Sequence, residues 1–330
     1  MTSEANDILV IGGGVIGLTS AIVLAEGGHR VRLVSRDPAA DSTSAVAGGL
    51  CWPYRIQPHA PAVRWSLRGF EILSRLAERP RETGARMVAG TMTEPAAAGP
   101  EDDGDPLAAW YAAVPGLRRA RPDEVPEGHT GRRARTPLVD MPTHLHYLEQ
   151  RLRAAGGTVE RTTFTSLAEA GQEAPVVVNC SGLGARELVP DPQVHPVQGQ
   201  LVVVADPGIE EWYVCAAPGA TDTTYVLPQP YGVVVGGTAH ENAWSTEPDP
   251  AVAEAIVARA ARRFPALAGA EVLAHRVGLR PARAAVRLEG ERLPGGAWCV
   301  HNYGHGGAGV TVAWGCADEV RRLVYEAPAV

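Results

Sequence analysis

Lysine is absent from this chain, because all 30 basic residues among its 330 residues are arginine. The absence excludes a lysine Schiff base, a P-loop and a lysine general base. Any anion must therefore be bound by arginine, a backbone amide or a hydroxyl group. Long apolar runs are missing too, since no stretch of the sequence approaches the roughly 18 residues that span a bilayer.

Cysteine is scarce and follows no metal-binding or disulfide pattern. The five cysteines are odd in number and form no Cys-x-x-Cys pair, which argues against structural zinc and a disulfide framework. The formal net charge of −7 argues against nucleic acid as a partner. The first residues lack the basic segment of a signal peptide. These features indicate reduced thiols in a cytoplasm.

A glycine-rich turn lies near the N-terminus, with the sequence Gly12-Gly13-Gly14-Val15-Ile16-Gly17. An apolar run at residues 8–11 precedes it, a helical pattern covers residues 15–26, and a second apolar run follows at residues 31–34. Together they predict the βαβ unit of about 30 residues that a dinucleotide site requires.

Each glycine of this turn has a predicted task. Gly12 permits a tight bend, Gly14 lets the backbone approach a pyrophosphate, and Gly17 lets the helix pack on the strand. The phosphates would lie at the helix N-terminus, where free N–H groups and the helix dipole favour negative charge. Asp37 is placed to bind ribose hydroxyls. Arg36 could stack on adenine or, in a nicotinamide enzyme, bind a 2′-phosphate.

A second glycine-rich segment, residues 301–311, comes just before the last predicted helix. Gly304, Gly306, Gly307 and Gly309 leave no side chains between the backbone and a flat ligand. The helix N-terminus after them could face the electron-rich end of an isoalloxazine and stabilise its reduced, anionic form. Alone, the segment could be a plain connection between strand and helix. A nicotinamide dehydrogenase usually needs only the first turn, so the pair of turns indicates a flavin.

Motifs dispersed over nearly the whole chain resemble the D-amino-acid oxidase family of FAD enzymes, which includes D-aspartate oxidase. The matching segments are residues 10–18, 46–50, 179–182, 225–228, 277–281 and 301–311. The hydroxyl-rich stretch Ser42-Thr43-Ser44 lies where the family contacts the phosphate and the flavin. The resemblance implies FAD binding by Gly12, Gly13, Gly14, Val15, Ile16, Gly17, Arg36, Asp37, Ser42, Thr43, Ser44, Gly48, Gly49, Leu50, Thr163, Ser181, Gly306, Gly307, Ala308, Gly309, Val310 and Thr311.

The expected fold class is α/β, with a Rossmann-like FAD-binding domain interleaved with a substrate domain of mixed, largely antiparallel sheet. Patterns of βαβ type at both ends of the chain, with strands of antiparallel type between them, predict this arrangement. We expect the FAD-binding domain to comprise residues 1–55, 136–195 and 275–330. We expect the substrate domain to comprise residues 56–135 and 196–274.

The resemblance also implies an activity, the oxidation of a D-amino acid by hydride transfer from Cα to flavin N5. The products would be a 2-oxo acid and ammonia, with oxygen reduced to hydrogen peroxide. Arg280 looks like the carboxylate anchor, a task that suits a planar guanidinium with paired donors. Tyr225 would join it, and the Gly307 carbonyl would accept a hydrogen bond from the amine. From the residue pattern alone, Arg280 would be a salt-bridged surface residue more often than a site residue, and Tyr225 could be a core residue.

Other polar residues are expected to have structural roles. His301 and His305 are expected to pack and form hydrogen bonds instead of acting as bases. The arginine run Arg132, Arg133 and Arg135 is expected to lie in a solvated loop.

The chain departs from the family around the substrate side chain. Trp52 stands where better-known eukaryotic members have a polar residue, so its indole is expected to line or narrow the pocket. Residues 210–224 match poorly, and Trp212 and Tyr213 are candidates for a missing lid tyrosine. Arg55 is the only nearby candidate for a side-chain carboxylate. This favours neutral D-amino acids as substrates over D-aspartate.

Alternative functions are a D-aspartate oxidase, a glycine oxidase-like amine oxidase, or a non-catalytic flavin-binding protein. The expected partners are a D-amino acid and molecular oxygen, with no nucleic acid, membrane or metal, and a homodimer is compatible with the sequence. The chain lacks a peroxisomal targeting tripeptide at its C-terminus, and its use of arginine alone favours a bacterial cytoplasmic protein.

Overall fold

A computed structural model describes residues 7–96, 105–217 and 219–327. The strands are β1 (Asp7–Ile11), β2 (Arg30–Ser35), β3 (Ala85–Pro95), β4 (Arg118–Arg119), β5 (His129–Val139), β6 (Thr158–Arg161), β7 (Val176–Asn179), β8 (His195–Val204), β9 (Trp212–Cys215), β10 (Asp222–Gln229), β11 (Gly232–Thr238), β12 (His240–Glu241), β13 (Val272–Arg292) and β14 (Trp298–His305). The helices are α1 (Val15–Glu26), α2 (Thr43–Val46), α3 (His59–Leu76), α4 (Pro80–Thr83), α5 (Ala108–Ala113), α6 (Met141–Ala154), α7 (Leu167–Glu173), α8 (Ala185–Leu188), α9 (Pro250–Arg263) and α10 (Gly309–Tyr325).

The strands of the described residues form one continuous sheet in the order β4-β5-β3-β9-β10-β11-β8-β13-β14-β7-β1-β2-β6, with β12 paired to β8. From β14 to β6 the neighbouring strands are parallel. From β4 to β13 they are antiparallel except for the β3–β9 pair. The predicted fold class, a Rossmann-like half joined to a mixed, largely antiparallel half, is confirmed. The predicted domain boundaries stay a prediction.

The long strand β13 belongs to both halves of the sheet. Its first part, from Val272 to Ala282, pairs with β8. Its second part, from Arg287 to Arg292, pairs with β14, and the register shifts between Ala282 and Arg287. Side chains just before this shift therefore lie where the two halves meet.

Alternation along the strands separates the cores of the parallel half. Ile8 and Val10 pack against α1, α3, α6 and α10, whereas Leu9 and Ile11 pack against α7 and α8. Helices thus cover both faces, as buried parallel strands require. In the other half, α9 covers one face of the sheet. An apolar cluster that includes Trp52 covers the opposite face.

The arginine-rich stretch before residue 136 corrects an expectation from the sequence. Arg132, Arg133 and Arg135 read there as a solvated loop, but they lie in β5. The Arg132 guanidinium stacks 3.7 Å from the centroid of the Tyr111 ring, and Arg133 forms an ion pair with Glu211. Long arginine stems can cover apolar surface within a strand, so a charge run alone does not exclude β structure. None of the helices formed by the described residues combines the length and apolarity needed to cross a bilayer.

We expect Gly17→Ala to destabilise the protein, since a Cβ on Gly17 would lie 1.8 Å from the Gly12 carbonyl oxygen. Overpacking of this kind lowers the free energy of unfolding by about 1–3 kcal/mol. Each kcal/mol lowers the midpoint temperature of thermal unfolding by roughly 2–4 °C in a protein of this size. Thermal unfolding measures the effect. The matched control is Gly295→Ala, where an added Cβ meets no atom within 4 Å. Equal midpoints for the two variants would contradict the close packing at Gly17.

Candidate active site

The predicted FAD-binding residues converge on one edge of the sheet. Strands β1, β2, β6, β7 and β14 are parallel, so their carboxyl ends meet at this edge. Strand β1 is central, with β2 on one side and β7 on the other, which makes its carboxyl end a topological switch point. Each of these strands is followed by predicted FAD-binding residues. They are Gly12, Gly13 and Gly14 after β1, Arg36 and Asp37 after β2, Thr163 after β6, Ser181 after β7, and Gly306, Gly307 and Ala308 after β14.

The first glycine turn has the geometry that its sequence predicts. Gly12 has a φ of +117°, which only glycine adopts readily, and a Cβ there would lie 2.3 Å from the Cys180 carbonyl oxygen. Gly14 is the N-cap residue of α1 and has no side chain with which to cap the helix. The Val15 N–H donates to the Ser44 hydroxyl oxygen over 3.0 Å. A ligand at this turn would therefore meet backbone amides and a serine hydroxyl.

The second glycine segment presents another helix N-terminus at the same edge. Helix α10 also begins without a side-chain cap among the described residues. Gly306 and Gly309 have no atom within 4 Å of an added Cβ, so the space beside them is open. The side chains of Ala308 and Val310 are buried, which leaves the backbone to face a ligand. Two helix N-termini, that of α10 without a side-chain cap, lie beside glycine backbone and fit an anionic, partly flat group such as FAD.

The segment from Ser42 to Leu50 bridges the two halves of the sheet. The Thr43 hydroxyl donates to the Leu279 carbonyl over 3.1 Å, which fixes α2 against β13. A Cβ on Gly48 would lie 2.5 Å from Leu227 Cδ1, and one on Gly49 would lie 1.9 Å from the Val139 carbonyl oxygen. Only glycines let this segment enter so closely, and its entry brings the Ser44 hydroxyl beside α1.

Arg36 and Asp37 lie at the carboxyl end of β2, where the sequence places them, and they pair with each other. The Arg36 Nε lies 2.7 Å from the Asp37 carboxylate, and both side chains are exposed. Ser181 follows β7, and its hydroxyl donates to the Asn179 side-chain oxygen over 2.7 Å. Contacts of these residues with a bound nucleotide stay predictions.

Trp52 is tied to α10 but its indole lies in a core. The Thr311 hydroxyl accepts from the Trp52 N–H and donates to the Trp52 carbonyl, each over 3.0 Å. The indole is 5% exposed and packs against Trp110, Tyr111 and Trp212. The structure thus gives Trp52 a packing role, and the expectation that its ring lines the substrate pocket stays a prediction.

Arg280 occupies the position just before β13 passes from one half of the sheet to the other. Its Nη1 donates to the Thr238 carbonyl over 2.9 Å. A Cβ on Gly199 would lie 2.3–2.5 Å from the guanidinium, so glycine in β8 makes the room for it. A Cβ on Gly307 would lie 3.5 Å from Arg280 Cδ, which places the second glycine segment beside the arginine. As a whole residue, Arg280 is half-buried.

Tyr225 lies beside Arg280 on the same face of the sheet. Its ring fills the space over Gly236, where a Cβ would lie 2.0 Å from the ring. Burial raises the pKa of Tyr225, while the charge of Arg280 and a hydrogen bond to it lower the pKa by a smaller amount. The net pKa is above the usual value, so the hydroxyl stays protonated at neutral pH and can donate a hydrogen bond.

Tyr54 is a site residue that the sequence reasoning missed. A Cβ on Gly307 would lie 3.6 Å from Tyr54 Cδ1, and the Tyr54 hydroxyl lies 3.4 Å from the Thr223 hydroxyl. Tyr54 follows Trp52 and Pro53 in the stretch already suspected of facing the pocket, which was the available signal. The ring therefore lies close to Gly307 and Tyr225, as Arg280 does.

The lid candidates Trp212 and Tyr213 are not lid residues. Both lie in β9 and are buried, with the Trp212 indole N–H donating to the Val88 carbonyl over 2.9 Å and Tyr213 packing on Phe264. The loop after β9 is instead bound by Arg55, whose Nη2 donates to the carbonyls of Ala217 and Ala220 over 3.2 and 2.8 Å.

The two histidines of the second glycine segment are buried. Burial lowers the pKa of His305 to about 3 and also lowers the pKa of His301. The His305 ring lies 3.1 Å from the Asn302 side chain, and the His301 ring lies 2.8 Å from Glu291. The structure thus confirms the expectation that these histidines pack and form hydrogen bonds.

Comparisons with known proteins agree with this geometry. The DAO family model, described as FAD dependent oxidoreductase, matches residues 7–323. A D-amino-acid oxidase of Streptomyces coelicolor is 60% identical over 318 residues, which cover 96% of each chain. A D-amino-acid oxidase of Rubrobacter xylanophilus is 50% identical, with 96% of this chain and 94% of that protein covered. The crystal structure of glycine oxidase from Geobacillus kaustophilus superposes with a TM-score of 0.79 at 20% identity, covering 99% of this chain and 96% of that one, and shows the same fold.

The family match covers almost all the described residues and confirms both the resemblance and the predicted cofactor. FAD is therefore the cofactor of this protein. Contacts of the glycine turns and the serine-rich segment with FAD stay predictions. The chain belongs to the DAO family of FAD-dependent oxidoreductases.

Proposed function

We propose that this protein oxidises D-amino acids with neutral side chains, using FAD and molecular oxygen and forming a 2-oxo acid, ammonia and hydrogen peroxide. The observation that carries the proposal is the convergence of Arg280, Tyr225 and Tyr54 beside Gly307, at the edge that holds the cofactor residues. The D-amino-acid oxidases that are 60% and 50% identical to this chain support it.

Arg280 is the group that would bind the substrate carboxylate. A guanidinium has five N–H donors, of which the Thr238 carbonyl accepts one. That bond holds the guanidinium in place, and its remaining donors can form a paired contact with a carboxylate. Because the site is partly buried, the charge acts in a medium that screens it less than bulk water does.

Tyr225 and Gly307 would fix the orientation of the bound amino acid. The protonated Tyr225 hydroxyl donates to the same carboxylate, and the Gly307 carbonyl accepts from the amine. Three contacts on two groups of the substrate determine which way its Cα–H bond points. Holding reactants in a reactive geometry can contribute several kcal/mol to barrier lowering, with about 7–11 as the upper range.

FAD, when bound, supplies the two-electron acceptor that takes the α-hydrogen as hydride and passes the electrons to oxygen. An amine that binds unprotonated then needs no side chain as a base at Cα. The buried histidines at residues 301 and 305 agree with this, because their lowered pKa values and their hydrogen bonds assign them to packing.

The preference for neutral side chains rests on Arg55. This residue was the only candidate partner for a side-chain carboxylate, and its guanidinium binds the carbonyls of Ala217 and Ala220. It also lies 5.0 Å from the centroid of the Tyr54 ring. Binding an acidic side chain would require Arg55 to leave these partners, which disfavours D-aspartate. Association as a homodimer and a cytoplasmic location stay predictions.

A substrate panel tests the proposal and its alternatives. The FAD-loaded protein is mixed without oxygen with D-alanine, D-proline, D-valine, D-aspartate or glycine, and bleaching of the flavin absorption is followed. We expect bleaching by the neutral D-amino acids and peroxide release in air. Preference for D-aspartate or glycine would favour the corresponding oxidase. A yellow protein that no amine bleaches would be a non-catalytic flavin-binding protein.

Arg280→Ala should raise KM for D-alanine by about two to three orders of magnitude, because a bound carboxylate loses its countercharge, a loss of roughly 3–5 kcal/mol. Steady-state peroxide assays measure KM. The matched control is Arg276→Ala, on the same strand, whose guanidinium stacks 5.0 Å from the centroid of the Tyr231 ring. An unchanged KM in Arg280→Ala would remove this residue from the site.

Tyr225→Phe should have a smaller effect, since one hydrogen bond worth about 1 kcal/mol is lost, or roughly a fivefold rise in KM. The same assays apply, with Tyr231→Phe as the control for loss of a nearby hydroxyl. A hundredfold fall in kcat would show that Tyr225 takes part in the chemistry beyond binding the carboxylate.

A further inference from the structure

Arg259, on helix α9, contacts the strand end that supports both carboxylate-binding side chains. Its Nη2 donates to the Gly237 carbonyl over 3.3 Å, and Arg280 Nη1 donates to the next carbonyl, that of Thr238, over 2.9 Å. The two arginines therefore hold consecutive peptide groups at the end of β11. Arg259 also lies 3.7 Å from Asp222, which pairs with Thr238 in the sheet.

The Gly236–Gly237 backbone, to which Arg259 donates a hydrogen bond, packs against the ring of Tyr225. A Cβ on Gly236 would lie 2.0 Å from Tyr225 Cζ, and one on Gly237 would lie 2.7 Å from the Tyr225 hydroxyl oxygen. The glycine backbone and the Tyr225 ring are therefore closely packed. Any movement of the Gly237 peptide is therefore transmitted to the hydroxyl that binds substrate. Glycine backbone has wide conformational freedom, so the Gly236–Gly237 segment needs a contact with another element to fix its conformation.

Arg259 contacts the Gly236–Gly237 backbone from the face of the sheet opposite to Tyr225. Tyr225 and Leu227 point to the face that packs around Trp52, whereas Val226 points to the face covered by α9. The Arg259 side chain is 19% exposed, and its buried Nε–H meets no acceptor among the described residues. A buried N–H without an acceptor is unfavourable for stability. Stability alone therefore does not account for an arginine at this position.

We propose that Arg259 is a positioning residue for the substrate carboxylate, which acts by holding the Gly236–Gly237 backbone against Tyr225 and beside the Thr238 carbonyl that anchors Arg280. The inference rests on the proposed function, since it assumes that Tyr225 and Arg280 bind the carboxylate. Arg259 itself touches neither substrate nor cofactor in this arrangement. Its effect is therefore on affinity for the carboxylate and on the contribution of Tyr225.

The test compares Arg259→Met with Arg262→Met, an exposed arginine of the same helix. We expect KM for D-alanine to rise about tenfold in Arg259→Met, with kcat changed by less than about threefold, because one charge-assisted hydrogen bond is lost from the support. Titration with pyruvate, followed by the shift of the flavin absorption bands, should show the same loss of affinity without turnover. Arg262→Met should match the wild type. If Arg259→Met does not fold, Arg259→Lys replaces it, with an intermediate rise expected.

A double-mutant cycle with Tyr225→Phe separates positioning from a purely structural role. In the Tyr225→Phe background, Arg259→Met should raise KM by less than about threefold, because most of its effect is exerted through the hydroxyl that is already gone and only the smaller effect on Arg280 remains. The full tenfold effect in that background would overturn the proposal. The proposal would also be overturned if Arg259→Met lowered the midpoint of thermal unfolding but left KM and the affinity for pyruvate unchanged. A wild-type protein that none of the neutral D-amino acids of the panel bleaches would refute the proposed function instead, so the two failures are distinguishable.

Discussion

The hydrogen-bonded register of strand β13 is the constraint on which the site depends. The strand pairs first with β8 and then with β14, so it joins the largely antiparallel half of the sheet to the parallel half. Arg280 lies just before the change of partner and thereby comes beside Gly307, which follows β14. A slip of one residue would turn Arg280 to the opposite face of the sheet. The position of the Arg280 guanidinium is thus determined by strand pairing.

Anion binding without lysine requires that backbone amides and arginine share the task, and the structure places both near one edge of the sheet. The N-terminus of α10 has no side-chain cap among the described residues, and at α1 the Ser44 hydroxyl accepts from the first amide, that of Val15. The Arg280 guanidinium lies near Gly307 and donates to the Thr238 carbonyl. Amides and guanidinium groups have fixed donor geometry, whereas a lysine ammonium is a mobile point charge. The resulting site is suited to orient its ligands as well as to attract them.

Much of the cofactor site could be predicted from the sequence, because its determinants are local. Gly12 needs a positive φ and Gly17 needs close packing within one βαβ unit, and both requirements leave a readable spacing. Arg280, Tyr225 and Gly307 came from motif resemblance, and the structure brings them together. The arginines of β5 and the lid candidates in β9 were misjudged, since burial of these side chains depends on neighbours far away in the chain.

By itself, the sequence determined the two glycine turns, the absence of lysine chemistry and the family, since these are properties of short segments and of residue types. Tertiary structure alone decided that Tyr54 lies close to Gly307. It also decided that Gly199 leaves space for Arg280 and that Gly236 leaves space for Tyr225. The contact of Arg259 with the Gly237 carbonyl, from the opposite face of the sheet, likewise depends on tertiary structure. Such contacts join segments distant in the chain, and they exist only once sheet register and the packing of α9 are set. No local pattern of residues encodes them, because each partner alone is compatible with ordinary strand or helix structure.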